Sequence, residues 1–161
     1  PIGPKPQNLN RDYMFSDGSA NQLDKLQEMG YLSSNVPSSI NSVVNWEDTS
    51  QPLDLRVRSY MDMNCAHCHS DLRHCDYRPI RLAYNESDDD TNLGVCVDPD
   101  EAISPYVKIV LPGNYQKSML HFRLNTTQEE YMMPLIGRTM VHEEAIQLIE
   151  DWIGSLTDPC P

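Results

Sequence analysis

Apolar positions fall into helical register most plainly near the C-terminal end. Ile146, Ile149, Trp152, Ile153 and Leu156 share one side of residues 141–156, while Glu143, Glu144, Glu150 and Asp151 mostly occupy the other, which predicts an amphipathic last helix. A second helical stripe, Leu53, Val57 and Met61, continues to Cys65 and Cys68; Thr49 or Ser50 can cap that helix and Pro52 suits its first turn. Leu23, Leu26 and Met29 predict a short helix within residues 20–32, with Gly30 placed to end it. A third helix is expected from Asn114, just after Pro112 and Gly113, to about Asn125. Residues 1–19 read as an extended arm, and residues 33–50 as an irregular connection anchored by Trp46. Between residues 70 and 105 runs an acidic excursion. Residues 79–84 and 106–110 are expected as strands of a small two-stranded flap.

Composition narrows the class. The 161 residues hold 12 Lys and Arg against 24 Asp and Glu, a formal charge of -12, which argues against binding a phosphate backbone and for basic or neutral protein partners. No apolar run approaches the ~20 residues of a membrane span. Twelve Pro against two Phe suggest a loop-rich fold with a modest core that a bound cofactor would help to hold. The chain opens on Pro1 without Met or an apolar targeting stretch, which is read as a processed or partial product.

Residues 65–69 read Cys-Ala-His-Cys-His, the C-x-x-C-H attachment pattern of c-type haem. Two thiols three positions apart share a face of a helical turn and can each add to a vinyl group of one macrocycle, with His69 directed at the iron. A thioether opposite the imidazole must come from a loop that crosses to the far side. Residues 131–137, Tyr-Met-Met-Pro-Leu-Ile-Gly, supply one between the third and last helices. Met133, just before Pro134, is the chosen ligand, with Met132 and Met140 as alternates. Core filling is the ordinary role of such a Met pair, and the upstream motif is what reverses that preference.

These segments resemble a family. Asn-Leu-Asn-Arg-Asp-Tyr (8–13), Asn-Gln-Leu-Asp-Lys-Leu (21–26), Asp-Thr-Ser-Gln-Pro-Leu (48–53), Tyr-Met-Asp-Met-Asn-Cys-Ala-His-Cys-His (60–69), Gly-Val-Cys (94–96), Ile-Val-Leu-Pro-Gly (109–113), Met-Pro-Leu-Ile-Gly-Arg (133–138) and Ile-Glu-Asp-Trp-Ile (149–153) look like the C-terminal half of a bacterial diheme c-type cytochrome family, in the same order and over nearly the whole chain. The resemblance implies a mainly α, cytochrome c-like helical domain at 51–161, with a β flap inserted after the haem motif. Residues 1–50 would form a long N-terminal arm and short helix, a linker to an upstream haem domain. It implies one haem c bound through Cys65 and Cys68, with His69 and Met133 on the iron, in an exported, periplasmic or otherwise extracytoplasmic electron carrier that is not itself an enzyme. Its partners would be other redox proteins. Two positions depart from the family: His142 stands where an acidic residue usually precedes the last helix, and Pro134-Leu135 replaces Pro-Pro.

Other residues bear on rival functions. A haem peroxidase-like enzyme with a labile Met ligand would need an acid-base group, for which His121 or His142 can be proposed. A structural zinc module would use Cys65, Cys68, His69, His74 and Cys75, which fall within eleven residues. If haem takes Cys65 and Cys68, the simplest disulfide joins Cys75 to Cys96 and leaves Cys160 over; it would close a loop of about 20 residues for roughly 3 kcal/mol. Arg123 and Arg138 are candidates to pair with haem propionates. Asp88, Asp89, Asp90, Asp98, Asp100 and Glu101 match no calcium loop and read as a solvated acidic surface.

Overall fold

The computed structural model describes residues 4–33, 35–37 and 39–161; the first three residues of the expected arm, and Ser34 and Ser38 of the expected connection, lie outside them. The chain divides after Val44 into two compact units.

In the first unit the expected extended arm is folded. A single helical turn, α1 (Pro6–Leu9), begins at a proline, where the missing N–H is no loss. Strands β1 (Asp12–Phe15) and β2 (Gly18–Asn21) then form an antiparallel hairpin with Phe15 opposite Gly18. Tyr13 and Phe15, two apart and so on one face, set their rings 5.1 Å apart. Asn21 ends the hairpin and caps α2 (Gln22–Glu28), its side chain accepting from the Leu23 N–H at 2.9 Å. Gly30, at φ +78°, closes α2 as expected. The N–H of Tyr31 reaches the Leu26 carbonyl at 2.9 Å, and that of Gly30 reaches Gln27 at 3.0 Å.

In the second unit helix α3 (Leu53–Asn64) turns Val57, Tyr60 and Met61 inward. Its N-terminus has no side-chain cap; Asp48, rather than Thr49 or Ser50, organises the preceding turn by accepting from the Ser50 N–H at 3.0 Å. The expected third helix is split. Asn114 starts a 3₁₀ turn at Tyr115–Lys117, and α4 (Met119–Leu124) follows after Ser118, whose buried hydroxyl accepts from the Leu111 N–H at 2.8 Å. Helix α5 (Glu143–Ser155) buries Ile146, Ile149, Trp152 and Ile153 of its expected stripe against α3 and the rest of the core; Leu148, not expected, is buried with them, and Leu156 lies just past the helix end and is partly buried.

The mainly α, cytochrome c-like fold with a β flap is therefore not what the chain adopts. Helix accounts for only 29% of the described residues. The two-stranded sheet lies in the N-terminal unit, not after the haem motif. Residues 79–84 and 106–110 do not pair with each other. Instead Ile109 and Val110 lie along residues 94–97, with Cys96 N–H to Val110 O at 2.9 Å and Ile109 N–H to Val97 O at 2.8 Å. Gly94 permits this approach: at φ +89°, a Cβ there would sit 2.4 Å from Ile109 Cγ2. Proline and aspartate between residues 70 and 112 favour turns over ladders, and the loop is held by contacts from afar. The carboxylate of buried Asp62 on α3 accepts from the Tyr84 N–H at 2.9 Å.

The expected Cys75–Cys96 disulfide is also replaced. Cys96 bonds to Cys160, with 5.3 Å between their Cα atoms, and Cys75 is a free thiol. Proximity along the chain favoured the shorter bridge, but α5 returns the C-terminal tail to the loop at Cys96. No helix among the described residues is long and apolar enough to cross a membrane.

Candidate functional site

Helix α3 ends one residue before the Cys-x-x-Cys-His segment, so the motif lies on the turns that follow the helix and not within it. Cys65 caps α3 through its N–H to Met61 O at 2.8 Å, and the Cys68 and His69 amides both return to Cys65 O, at 3.0 and 2.9 Å. Ser70 donates to Ala66 O at 2.7 Å and the Leu82 N–H to His69 O at 2.7 Å, which fixes the turn against the core.

His69 faces a cavity of about 300 Å³ whose lining includes Cys65, Ile80, Leu82, Ile109, Leu124 and Met133. Met133 reaches it from the loop between α4 and α5, held by its N–H to Arg123 O at 2.9 Å. Arg123 also donates to Tyr131 O at 3.2 Å. Among the three methionine candidates, Met133 contributes to the lining and Met132 and Met140 do not; Met140 is 74% exposed. Cys68 is half-buried and is not part of the lining.

The donors suit a soft or borderline metal held in an apolar slot. Burial, followed by the nearby cations Arg78, His67, Arg81 and Arg123, pulls the His69 pKa down to about 4, so its imidazole is neutral, as a metal ligand must be. Its Nδ1 is buried with no hydrogen-bond partner within the described protein. The Cys65 thiol lies 3.7 Å from Met61 Sδ, and burial, then the adjacent Cys68, pushes its pKa up to about 12.

One edge of the cavity is charged. Arg78 pairs with Asp100 at 3.0 Å and Glu101 at 3.1 Å, and Arg123 stands 3.8 Å from Glu101; all four residues contribute to the lining. Arg138 does not contribute. Its guanidinium donates to the Leu124 and Thr126 carbonyls and closes the C-terminal end of α4. Arg78, which no motif singles out, takes the place beside Arg123 that Arg138 was expected to fill. A second cleft of about 550 Å³, which shares Arg78 and Pro79 with the first, is lined by Asp71, Arg81, Glu86 and Asp88 among others; it lacks the apolar walls of the smaller one.

The residues of the rival readings lie elsewhere. His121 is hydrogen-bonded to Glu150 at 2.8 Å between α4 and α5, and His142 packs against both Trp46 and Tyr60, its Nδ1 3.1 Å from the Tyr60 hydroxyl. Neither lines the cavity. Among the described residues no three His, Cys, Asp or Glu side chains converge to hold a metal, so the cluster from Cys65 to Cys75 does not assemble a zinc site. Comparison with family models, with curated proteins and with solved structures finds no match to this chain.

Proposed function

We propose that this chain carries one covalently attached haem c and transfers single electrons. The observation that carries the reading is the meeting of Cys65, His69 and Met133, drawn from two distant parts of the sequence, on one largely apolar cavity. The resemblance of the ordered segments to diheme c-type cytochromes points the same way. When bound, the group supplies a one-electron iron couple.

The chain's own residues account for the rest. Cys65 and Cys68 offer thiols for the two thioether links. His69 offers a neutral imidazole whose buried Nδ1 awaits a partner, and Met133 a polarizable thioether. Ile80, Leu82, Ile109 and Leu124 exclude water, which lowers the local dielectric and so helps set the potential. Arg78 and Arg123 place cationic guanidinium groups on the charged edge, where carboxylates of a ligand can be received. With both His69 and Met133 spent as ligands, no coordination position is left for a peroxide, which favours electron transfer over peroxidase chemistry. The Cys96–Cys160 bond supports an oxidising, extracytoplasmic setting.

The test is direct. The full chain, exported together with a haem-attachment system, is expected to gain the mass of one haem that denaturation does not remove, with a pyridine haemochrome spectrum of two thioether links. Colourless protein of unmodified mass would overturn the proposal.

A further inference from the structure

Three cysteines remain as thiols: Cys65, Cys68 and Cys75. Their surroundings sort them into one and two. The Cys65 thiol is turned onto Met61 Sδ and the cavity, while Cys68 is absent from the cavity lining and its backbone is joined to that of Cys75. The Cys75 N–H donates to Cys68 O at 3.0 Å, holding the two backbones side by side, and burial first, then the neighbouring Cys68, raises the pKa of the Cys75 thiol. The fold of the intervening loop makes this possible. Leu72 sits in the left-handed region at φ 61° and the Arg73 N–H returns to Ser70 O at 3.2 Å, so the chain doubles back after the motif. Leu72 is 93% exposed, so packing of its side chain does not explain that turn.

We propose that Cys75 is the disulfide partner of Cys68 in the haem-free chain, a reversible bond that withholds Cys68 from the macrocycle until a dithiol opens it. The inference rests on the haem reading for its consequence, but not for the bond itself. The chemistry needs a disulfide as oxidant. One protein thiolate attacks a sulfur of that reagent, whose S–S bond breaks to release one thiol. The second protein thiolate then attacks the mixed disulfide, forming the Cys68–Cys75 bond and releasing the other thiol, so two electrons pass to the reagent and both protons leave with it. A compartment that forms Cys96–Cys160 presents such oxidants to any adjacent thiol pair. A reducing dithiol reverses the steps and frees Cys68.

The experiment uses the full chain made without a haem-attachment system, equilibrated in glutathione buffers of increasing oxidised fraction, quenched with acid, alkylated and mapped as peptides. The expected map keeps Cys96–Cys160, links Cys68 to Cys75 and leaves Cys65 alkylated. The Cys75→Ser chain is expected to keep both Cys65 and Cys68 alkylated at the same redox poise and, once haem and the attachment system are added to both chains at that poise, to take up haem while the unmodified chain does so about tenfold less. A Cys65–Cys68 linkage with Cys75 alkylated, or alkylation of all three thiols across the series, overturns the proposal. Equal, non-zero haem loading of the two chains at every poise does so as well. The haem reading fails separately, by absence of haem from the fully reduced chain at any poise, and that result leaves the mapped Cys68–Cys75 bond as it stands.

Discussion

Met133 and Met132 differ by one position in sequence, yet only Met133 contributes to the cavity with His69. If the chain carries haem as proposed, Met133→Ala is expected to keep it covalently but to bind carbon monoxide in the ferrous state, which the parent and Met132→Ala chains would resist; equal binding by all three would count against Met133 as a ligand. Tyr60 makes a second statement at this scale. Burial, and to a smaller degree the neighbouring Cys65, raise its pKa from 10.0 to about 12 against a smaller opposite effect of Arg138. The folded chain thus holds the phenol proton after the unfolded chain has lost it. The resulting stability is complete below pH 10 and is lost as pH rises towards 12, about 3 kcal/mol in all. Denaturant midpoints at pH 9 and pH 11 should fall less for Tyr60→Phe than for the parent chain. At pH 7 the same substitution should cost about 1 kcal/mol through the lost contact with His142. A parallel fall in the two proteins would contradict the burial argument.

Among the elements, legibility tracks how local the stabilising contacts are. Helix α5 could be read because its apolar stripe and its acidic first turn are properties of the segment itself. The hairpin of β1 and β2 could not: three of the four β1 residues are exposed, so no alternation of apolar and polar positions announces it. The path of residues 70–112 was equally hidden, since it depends on Asp62 reaching Tyr84 and on the bare Cα of Gly94 against Ile109. Gly94→Ala combines a positive φ with a contact no Cβ tolerates and should destabilise the second unit by about 3 kcal/mol, read as a lower denaturant midpoint. A neutral result would mean that the loop packs differently. The Cys96–Cys160 bond closes a sequence separation of 64. By the chain-entropy relation, Cys96→Ser with Cys160→Ser should lose about 4 kcal/mol, more than the shorter Cys75–Cys96 bridge read from the sequence would have contributed. The site divides in the same way: the motif and the methionine loop are contiguous strings that the sequence displays, whereas Arg78 enters the cavity edge only through the turn that follows them.

For the whole molecule the decisive quantity is charge. A formal -12 is large for 161 residues, and it extends well beyond the cavity, where Arg78 and Arg123 offset much of what Asp100, Glu101 and Glu130 contribute. On the proposed electron-transfer reading, attraction of a basic redox partner should therefore arise from the field of the chain as a whole, while the mouth of the cavity is locally mixed and includes the 55% exposed Leu135. Two consequences separate these contributions. The second-order rate of electron transfer with a basic partner should fall steeply as ionic strength rises from about 0.01 to 0.1 M, over which the screening length shrinks from about 30 to 10 Å. Glu130→Gln, which removes one charge of the many that make up the field, should change that rate far less than the salt does. With an acidic partner the salt dependence should reverse sign. A rate with the basic partner that stays flat across this range would show that encounter is governed by the apolar rim of the cavity and not by the long-range field.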